Sequence, residues 1–147
     1  QPTARIVASE GHVVVPGNRR MLPARDLADL TGVDLETLER YVGLGLVTPD
    51  LAGYFPARCV QVVQLLVLLE SQGMDARVLR SVRNGAERSA DLIDQAVSSQ
   101  RSRLRAGDLE KASARSMELG EVLADLHREM LRVSLSRLNA SGHEPSR

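Results

Sequence analysis

Arginines are the residues of this sequence whose spacing suggests chemistry. Seven of them lie between positions 77 and 105, against three carboxylates, so this stretch carries a formal charge of +4. Arg77, Arg80 and Arg83 recur every third residue and would line one edge of a helix. A guanidinium binds carboxylates and phosphates through paired hydrogen bonds. Together with Tyr54 as a pocket wall, these arginines are a candidate site for an anionic ligand or an acidic peptide.

Two other interpretations of the same arginines stay open. In the first, they form a solvated helix face, where pairs such as Arg88 with Asp91 stabilise the helix by only ~0.3 kcal/mol each. In the second, they make a secondary contact with DNA that another domain holds. All three interpretations place the basic surface of the chain in this stretch.

No arrangement typical of catalysis or metal binding occurs in the sequence. The three histidines are far apart, and there is no HExxH motif, glycine-rich phosphate loop or paired cysteine motif. Cys59, which stands among valines, is predicted to pack in the core. We therefore expect a protein that is not an enzyme and that uses no cofactor or metal.

Composition indicates a globular chain of one domain or a domain with an extension. The 147 residues are 43% hydrophobic and 26% charged, and their formal net charge is zero, so the chain as a whole does not attract nucleic acid. A single cysteine permits no internal disulfide. No apolar run approaches the ~18 residues of a membrane span, and no secretory leader is visible. The sequence predicts a cytoplasmic protein without a membrane partner.

The arginine-rich stretch follows a segment with helix-turn-helix signals. Apolar residues recur at helical spacing from Leu27 to Leu30, and Pro23 fits the first turn of that helix because it needs no N–H there. Gly32 can take the left-handed conformation that ends a helix, and Asp34 is a good N-cap for the next run, LETLERYVG. The segment is predicted to fold as helix, tight turn, helix.

A small β-hairpin and a third helix are predicted next. Val47-Thr48 and Tyr54-Phe55 are the expected strands, with Gly53 supplying a permissive turn dihedral. The third helix is expected from about Ala57 to Gln72. Tyr41 and Phe55 are expected in the core.

Two stretches resemble known transcription regulators. The order TGVDLETLERYVGLGLVTP, then AGYFPARCVQVVQLLVLLESQGM, resembles the winged helix-turn-helix of the bacterial MerR family over about a third of the chain. GMDARVLRSVRNGAERSADLIDQAV is similar to the C-terminal half of actinobacterial MerR-type regulators of cell-division genes, the FtsR type. The resemblance implies a second winged unit behind a DNA-binding domain. Since the chain begins with Gln1, we expect that domain in a missing N-terminal part.

The predicted fold class is mainly α: a winged helix-turn-helix-like unit with a small β-hairpin, followed by a helical pair with a long C-terminal dimerisation helix. The expected division is residues 1–20, a linker or tail with a possible short strand at His12–Val15; 21–74, the winged unit; 75–138, the helical dimerisation and regulatory region; and 139–147, a disordered tail. The helix that follows Asp75 either breaks at Asn84-Gly85 or continues through these two residues. That helix is expected to end near Leu104.

The last helix is predicted to run from Leu109 to about Leu138. Its roughly 30 residues would be about 45 Å long, more than a small winged unit needs. Part of its apolar face must find another partner, and the MerR resemblance also implies dimerisation here. The alternative is that the helix folds back on the preceding helix within one monomer. The candidate dimer interface is Leu119, Val122, Leu123, Leu126, Met130 and Val133.

The candidate recognition helix has the wrong charge for reading DNA. Asp34, Glu36 and Glu39 stand against Arg40, and the wing from Thr48 to Phe55 contains no basic residue. From position 19 to 50 there are four basic and six acidic residues, a local charge of −2. DNA affinity depends mainly on contacts from Arg and Lys to phosphates.

We therefore predict the C-terminal dimerisation and regulatory domain of a MerR-family regulator. It would bind DNA through the N-terminal domain and bind a peptide, protein or small-molecule effector itself. The alternative is an autonomous winged-helix domain that reads operator DNA directly.

Overall fold

A computed structural model describes the backbone of residues 7–9, 12–15, 19–101 and 109–142, and the side chains of residues 20–98 and 109–142. The chain divides into two compact units between Arg83 and Asn84. We call residues up to Arg83 the winged unit and those from Asn84 the helical unit. The elements of the described residues are β1 Val7–Ser9, β2 His12–Val15, β3 Arg19–Pro23, α1 Ala24–Thr31, α2 Leu35–Gly43, β4 Tyr54–Pro56, α3 Cys59–Ser71, α4 Arg80–Arg101 and α5 Leu109–Gly142.

These elements confirm the predicted fold class, mainly α with a winged helix-turn-helix-like unit and a helical pair. The signals between α1 and α2 act as expected. Gly32 ends α1 with φ of 74°, and its N–H donates to the Ala28 carbonyl. Asp34 caps α2 by accepting a hydrogen bond of 2.7 Å from the Thr37 backbone N–H. A tight turn between two short helices follows from these two caps.

The strand pairing differs from the expected hairpin. The sheet is antiparallel in the order β1-β2-β3-β4, so β4 pairs with β3 and not with Val47-Thr48. Leu22 and Phe55 lie opposite each other and are both buried. Val47 is buried without being in a strand, and the neighbouring Pro49 has no N–H to donate to a ladder. Burial of the Leu22–Phe55 pair therefore selects β3 as the partner.

Strand β2, from His12 to Val15, matches the short strand that the sequence offered as an alternative to a linker. It pairs with both β1 and β3. The described part of the segment before residue 20 therefore extends the sheet of the winged unit.

One apolar core holds the winged unit together. Tyr41 and Phe55 are 1% and 2% exposed, as predicted for core aromatics. Cys59 packs against this core and is half-buried, and burial raises the pKa of its thiol. The fully buried side chains of the core include Leu22, Leu27, Leu38, Tyr41 and Val63.

The helical unit consists of α5 and the part of α4 from Asn84 onward. Helix α4 runs through Asn84-Gly85 without a break, the second of the two expected outcomes. Val97 of α4 and Ala112 of α5 are buried. At Gly120 an added Cβ would lie 4.0 Å from Ile93 Cδ1, so α4 and α5 pack closely there.

Helix α5 ends at Gly142, four residues beyond the expected Leu138, because Asn139, Ala140 and Ser141 are compatible with a helix and glycine favours its end. This differs from the predicted disordered tail over 139–142; the rest of that tail lies outside the described residues. The expected break at Ala106–Asp108 also lies outside the described residues. None of the described helices is long and apolar enough to span a bilayer.

Candidate functional site

The solvent face of α2 is where a winged helix-turn-helix unit would meet DNA. Leu35, Glu36 and Glu39 are all exposed there. Asp34, just before them, uses its carboxylate to cap the helix, and the hydrogen bond from Thr37 lowers the pKa of that carboxyl. The outer face of α2 therefore presents carboxylates and a leucine.

Arg40 is the only arginine of α2, and α3 holds it in place. Its Nη1 and Nη2 atoms donate to the two carboxylate oxygens of Glu70 at 3.0 and 2.9 Å. Its guanidinium carbon lies 5.1 Å from the centre of the Tyr41 ring, a cation–π distance. A paired guanidinium with this geometry is strongly oriented. Arg40 thus ties α2 to α3 and adds no unpaired cation to the outer face.

The hydroxyl of Tyr41 donates a third hydrogen bond to Glu70. Bonds from Arg40, and then from Tyr41, lower the pKa of the Glu70 carboxyl. Burial, and then the bond to Glu70, raises the pKa of Tyr41 to about 12. We call Arg40, Tyr41 and Glu70 the α2–α3 clamp.

A cavity of about 400 Å³ lies beside the α2–α3 clamp, where α2 and α3 end. Asp75 and Arg77 form an ion pair of 2.7 Å on its wall, and the guanidinium holds the pKa of Asp75 at about 2. Asp75 also accepts a hydrogen bond of 2.8 Å from the Arg77 backbone N–H, so it caps the turn before α4. The cavity is lined by Arg40, Leu44, Glu70, Gly73, Met74, Asp75 and Arg77.

The structure separates the residues of the predicted anionic site. Arg77 lines the cavity, while Arg80 is exposed at the start of α4 and Tyr54 is half-buried in β4. Arg83 donates from Nη1 to the Gly45 carbonyl oxygen at 3.1 Å. Of the four residues, Arg77 is the one in the cavity lining, and its charge is balanced by Asp75.

The role of Gly45 was not predicted from the sequence. Its φ is 72°, and a Cβ added there would lie 2.5 Å from Arg83 Nη1. The turn after α2 therefore needs glycine for its backbone and for the approach of Arg83. The bond from Arg83 joins the start of α4, within the winged unit, to the turn after α2.

The six residues of the predicted dimer interface fall into two groups. Leu119 and Leu123 are half-buried. The other four are between 47% and 65% exposed, and every residue of α5 from Ala124 to Gly142 is exposed. The four exposed members are Val122, Leu126, Met130 and Val133.

Comparisons with known proteins match both units. The family model described as "Rv1828-like, C-terminal domain" matches residues 20–139. Two curated relatives are named uncharacterized HTH-type transcriptional regulators, Rv1828 of Mycobacterium tuberculosis and Mb1859 of Mycobacterium bovis. Each is 27% identical over 114 residues, which cover 78% of this chain and 46% of the relative. The chain thus spans about half the length of the curated relatives it matches, and they are named as regulators of transcription, not as enzymes.

Proposed function

Because the chain belongs to the Rv1828-like, C-terminal domain family, we propose that it is the dimerisation and regulatory domain of a bacterial transcription regulator of the MerR type. A separate domain, N-terminal to it in the whole protein, reads the DNA. In this division of labour the winged unit binds a partner or an effector, and α5 joins two copies of the chain.

The observation that carries the proposal is the chemistry of α2. A recognition helix needs unpaired guanidinium or ammonium groups at the phosphates. In α2 the exposed side chains include Glu36 and Glu39, and Arg40 is bound to Glu70 at both of its terminal nitrogens. Repulsion between these carboxylates and phosphates opposes DNA binding by this face.

A dimer would cover the exposed apolar residues of α5. Burying Leu126 and Met130, now 47% and 59% exposed, is favourable at roughly 25 cal/mol per Å² of apolar surface. Leu126→Asp places a charge in that contact, so we expect the mass in solution to fall from twice 16.0 kDa to 16.0 kDa. Light scattering measures this mass.

Leu51→Asp is the matched control, because Leu51 is fully exposed in the wing and the substitution is chemically the same. It should leave the dimer intact. A monomeric native chain, or a dimer that tolerates Leu126→Asp, would count against dimerisation through α5.

The cavity beside the α2–α3 clamp is the proposed place for an effector. It combines apolar walls from Leu44 and Met74 with the ion pair of Asp75 and Arg77. A small molecule or peptide end that carries a carboxylate could compete with Asp75 for Arg77. Arg77→Ala should then weaken binding of such a molecule, while Arg80→Ala, outside the cavity lining, should not.

The alternative function, direct reading of operator DNA, is favoured by the intact geometry of α1, the turn and α2. A gel-shift assay with this chain alone distinguishes the two functions. We expect no sequence-specific shift at physiological salt. Tight and specific shifting would replace the proposal by the alternative.

A further inference from the structure

The cavity beside the α2–α3 clamp has two guanidiniums in its wall, and each is paired along one edge only. A guanidinium carries its N–H donors in a planar fork, so it can bind one carboxylate across Nη1 and Nη2 and another across Nε and Nη2. Arg40 uses the first edge on Glu70, at 3.0 and 2.9 Å. Arg77 uses the second edge on Asp75, at 3.2 and 2.7 Å. Each arginine therefore keeps its opposite edge.

The remaining edges make no hydrogen bond within the described part of the chain. Arg40 Nε and Arg77 Nη1 donate to none of the described residues. The two side chains also reach solvent, being 48% and 77% exposed. A molecule that enters the cavity from solution can therefore bind these donors without breaking the ion pairs with Glu70 and Asp75.

The carboxylates of the cavity have little capacity left for a ligand. Glu70 accepts three hydrogen bonds within the α2–α3 clamp, and both of its oxygens take part. Asp75 accepts from the backbone N–H, Nε and Nη2 of Arg77, again at both oxygens. A metal ion or an amine would have to break these bonds, and the described residues contain no group of three side chains suited to a metal. The cavity therefore offers donors to a ligand that brings acceptors.

One acceptor group is not enough for specific binding here. An ion pair that involves a single exposed guanidinium contributes little in water. Two such contacts made by one molecule add to each other, and Leu44 and Met74 supply an apolar wall for the carbon skeleton that joins them. The arrangement favours a ligand with an acid group at each end and a short apolar middle.

We propose that this cavity binds a small organic molecule with two acid groups, one on the remaining edge of Arg40 and the other on the remaining edge of Arg77. The inference rests on the proposed effector site and names its ligand class. Each acid group touches a guanidinium and lies a guanidinium width from the protein carboxylate on the other edge. Attraction therefore exceeds repulsion, because the Coulomb energy falls with distance.

Straight-chain dicarboxylates from succinate to suberate test the ligand class in the native chain. Each is compared with the monocarboxylate that lacks one of its two carboxylates, by NMR titration of the backbone N–H and arginine Nε–H signals. We expect the best dicarboxylate to bind more tightly than its monocarboxylate by on the order of tenfold or more, the gain from a second charge-assisted contact. Equal dissociation constants for every pair would overturn the inference.

Arg40→Lys locates the second contact. Lysine keeps the positive charge but has no planar edge to offer, so the dicarboxylate should lose its advantage over the monocarboxylate. Arg58→Lys is the matched control, because Arg58 is exposed at the start of α3 and the cavity lies where α3 ends. It should keep the advantage. An advantage that survives Arg40→Lys would overturn the inference, and the native series decides by itself if this variant does not fold.

A phosphonate distinguishes the two sources of a second acid group. It replaces one carboxylate of the best dicarboxylate on the same carbon skeleton. Tighter binding of the phosphonate would assign a phosphorylated acid as the ligand, and weaker binding would assign a dicarboxylate. Either result supports a ligand with two acid groups.

The outcomes separate the inference from the proposed function. If monocarboxylates and dicarboxylates bind equally and Arg77→Ala weakens both, the effector site stands and the ligand with two acid groups is overturned. If no acid of the series binds, the effector site and the inference fall together. Light scattering of the native chain reports dimerisation independently of either result.

Discussion

Glu70 joins α3 to α2 through side-chain hydrogen bonds. It accepts hydrogen bonds from Arg40 and Tyr41, which lie thirty and twenty-nine residues earlier in the chain. Such long separations have no local signal in the sequence. Tyr41 was correctly predicted in the core, whereas Arg40 was counted from the sequence only as one charge of α2.

Glu70→Gln tests the α2–α3 clamp. The amide keeps the shape but loses the charge, so we expect the free energy of unfolding to fall by about 1 kcal/mol at neutral pH, a modest value because Arg40 is half exposed. Urea unfolding measures it. Glu39→Gln, an exposed carboxylate of α2, is the control and should have little effect. Equal effects of the two variants would contradict the clamp.

The lowered pKa of Glu70 predicts that the effect of Glu70→Gln on stability depends on pH. Because the folded pKa of Glu70 is lowered, its contribution is present above the pKa of the unfolded carboxyl, about 4.3, and is lost as the pH falls through the lower folded pKa. The difference in stability between the native chain and Glu70→Gln should therefore shrink in acid. A difference that stays constant from neutral pH to pH ~3 would contradict this sign.

Tyr41 gives a spectroscopic prediction. Its pKa of about 12 lies above the ordinary tyrosine value of about 10, so its stabilising contribution is complete below pH ~10 and is lost as the pH rises through 12. Tyr54→Phe removes the other tyrosine, and the near-ultraviolet absorbance of phenolate then reports Tyr41 alone. We expect a midpoint near 12. A midpoint near 10 would mean that Tyr41 is neither buried nor bonded to Glu70.

At the scale of elements, the boundary between α1 and α2 was predictable because caps are local. Gly32 ends α1 and Asp34 caps α2 through hydrogen bonds with residues fewer than five positions away. The strand pairing was not predictable in the same way. Strand β4 pairs with β3, about thirty residues earlier in the chain, and this pairing places Leu22 and Phe55 together in the core. The pairing therefore depends on how the whole core packs and not on a local signal.

Gly45→Ala tests how the end of α2 is joined to the start of α4. With φ of 72° and Arg83 Nη1 only 2.5 Å from an added Cβ, alanine should lower the free energy of unfolding by about 1–2 kcal/mol from the backbone alone. Urea unfolding again measures the change.

Gly43→Ala is the matched control two residues earlier. Gly43 is the last residue of α2, and nothing lies within 4 Å of an added Cβ, so alanine should be neutral or stabilise by up to ~1 kcal/mol. Equal effects at the two glycines would show that the turn after α2 does not need the left-handed conformation.

At the scale of the whole molecule, charge is not distributed as in a DNA-reading protein, whose recognition helix carries unpaired cations. The exposed face of α2 carries Glu36 and Glu39, and exposed leucines occur on several elements, among them α3 and α5. The sequence indicated the charge of α2 and the length of α5. The exposure of Leu65 and Leu68 on α3, and of Leu131, Leu135 and Leu138 on α5, became visible only when the structure showed which apolar residues the core leaves exposed.

The central claim is that the winged unit does not read DNA. The most direct measurement is a selection of bound duplexes from a random-sequence pool by this chain at physiological salt, followed by sequencing. We predict that no sequence motif is enriched above the starting pool. Enrichment of one motif by the native chain, lost on Arg40→Ala, would contradict the account.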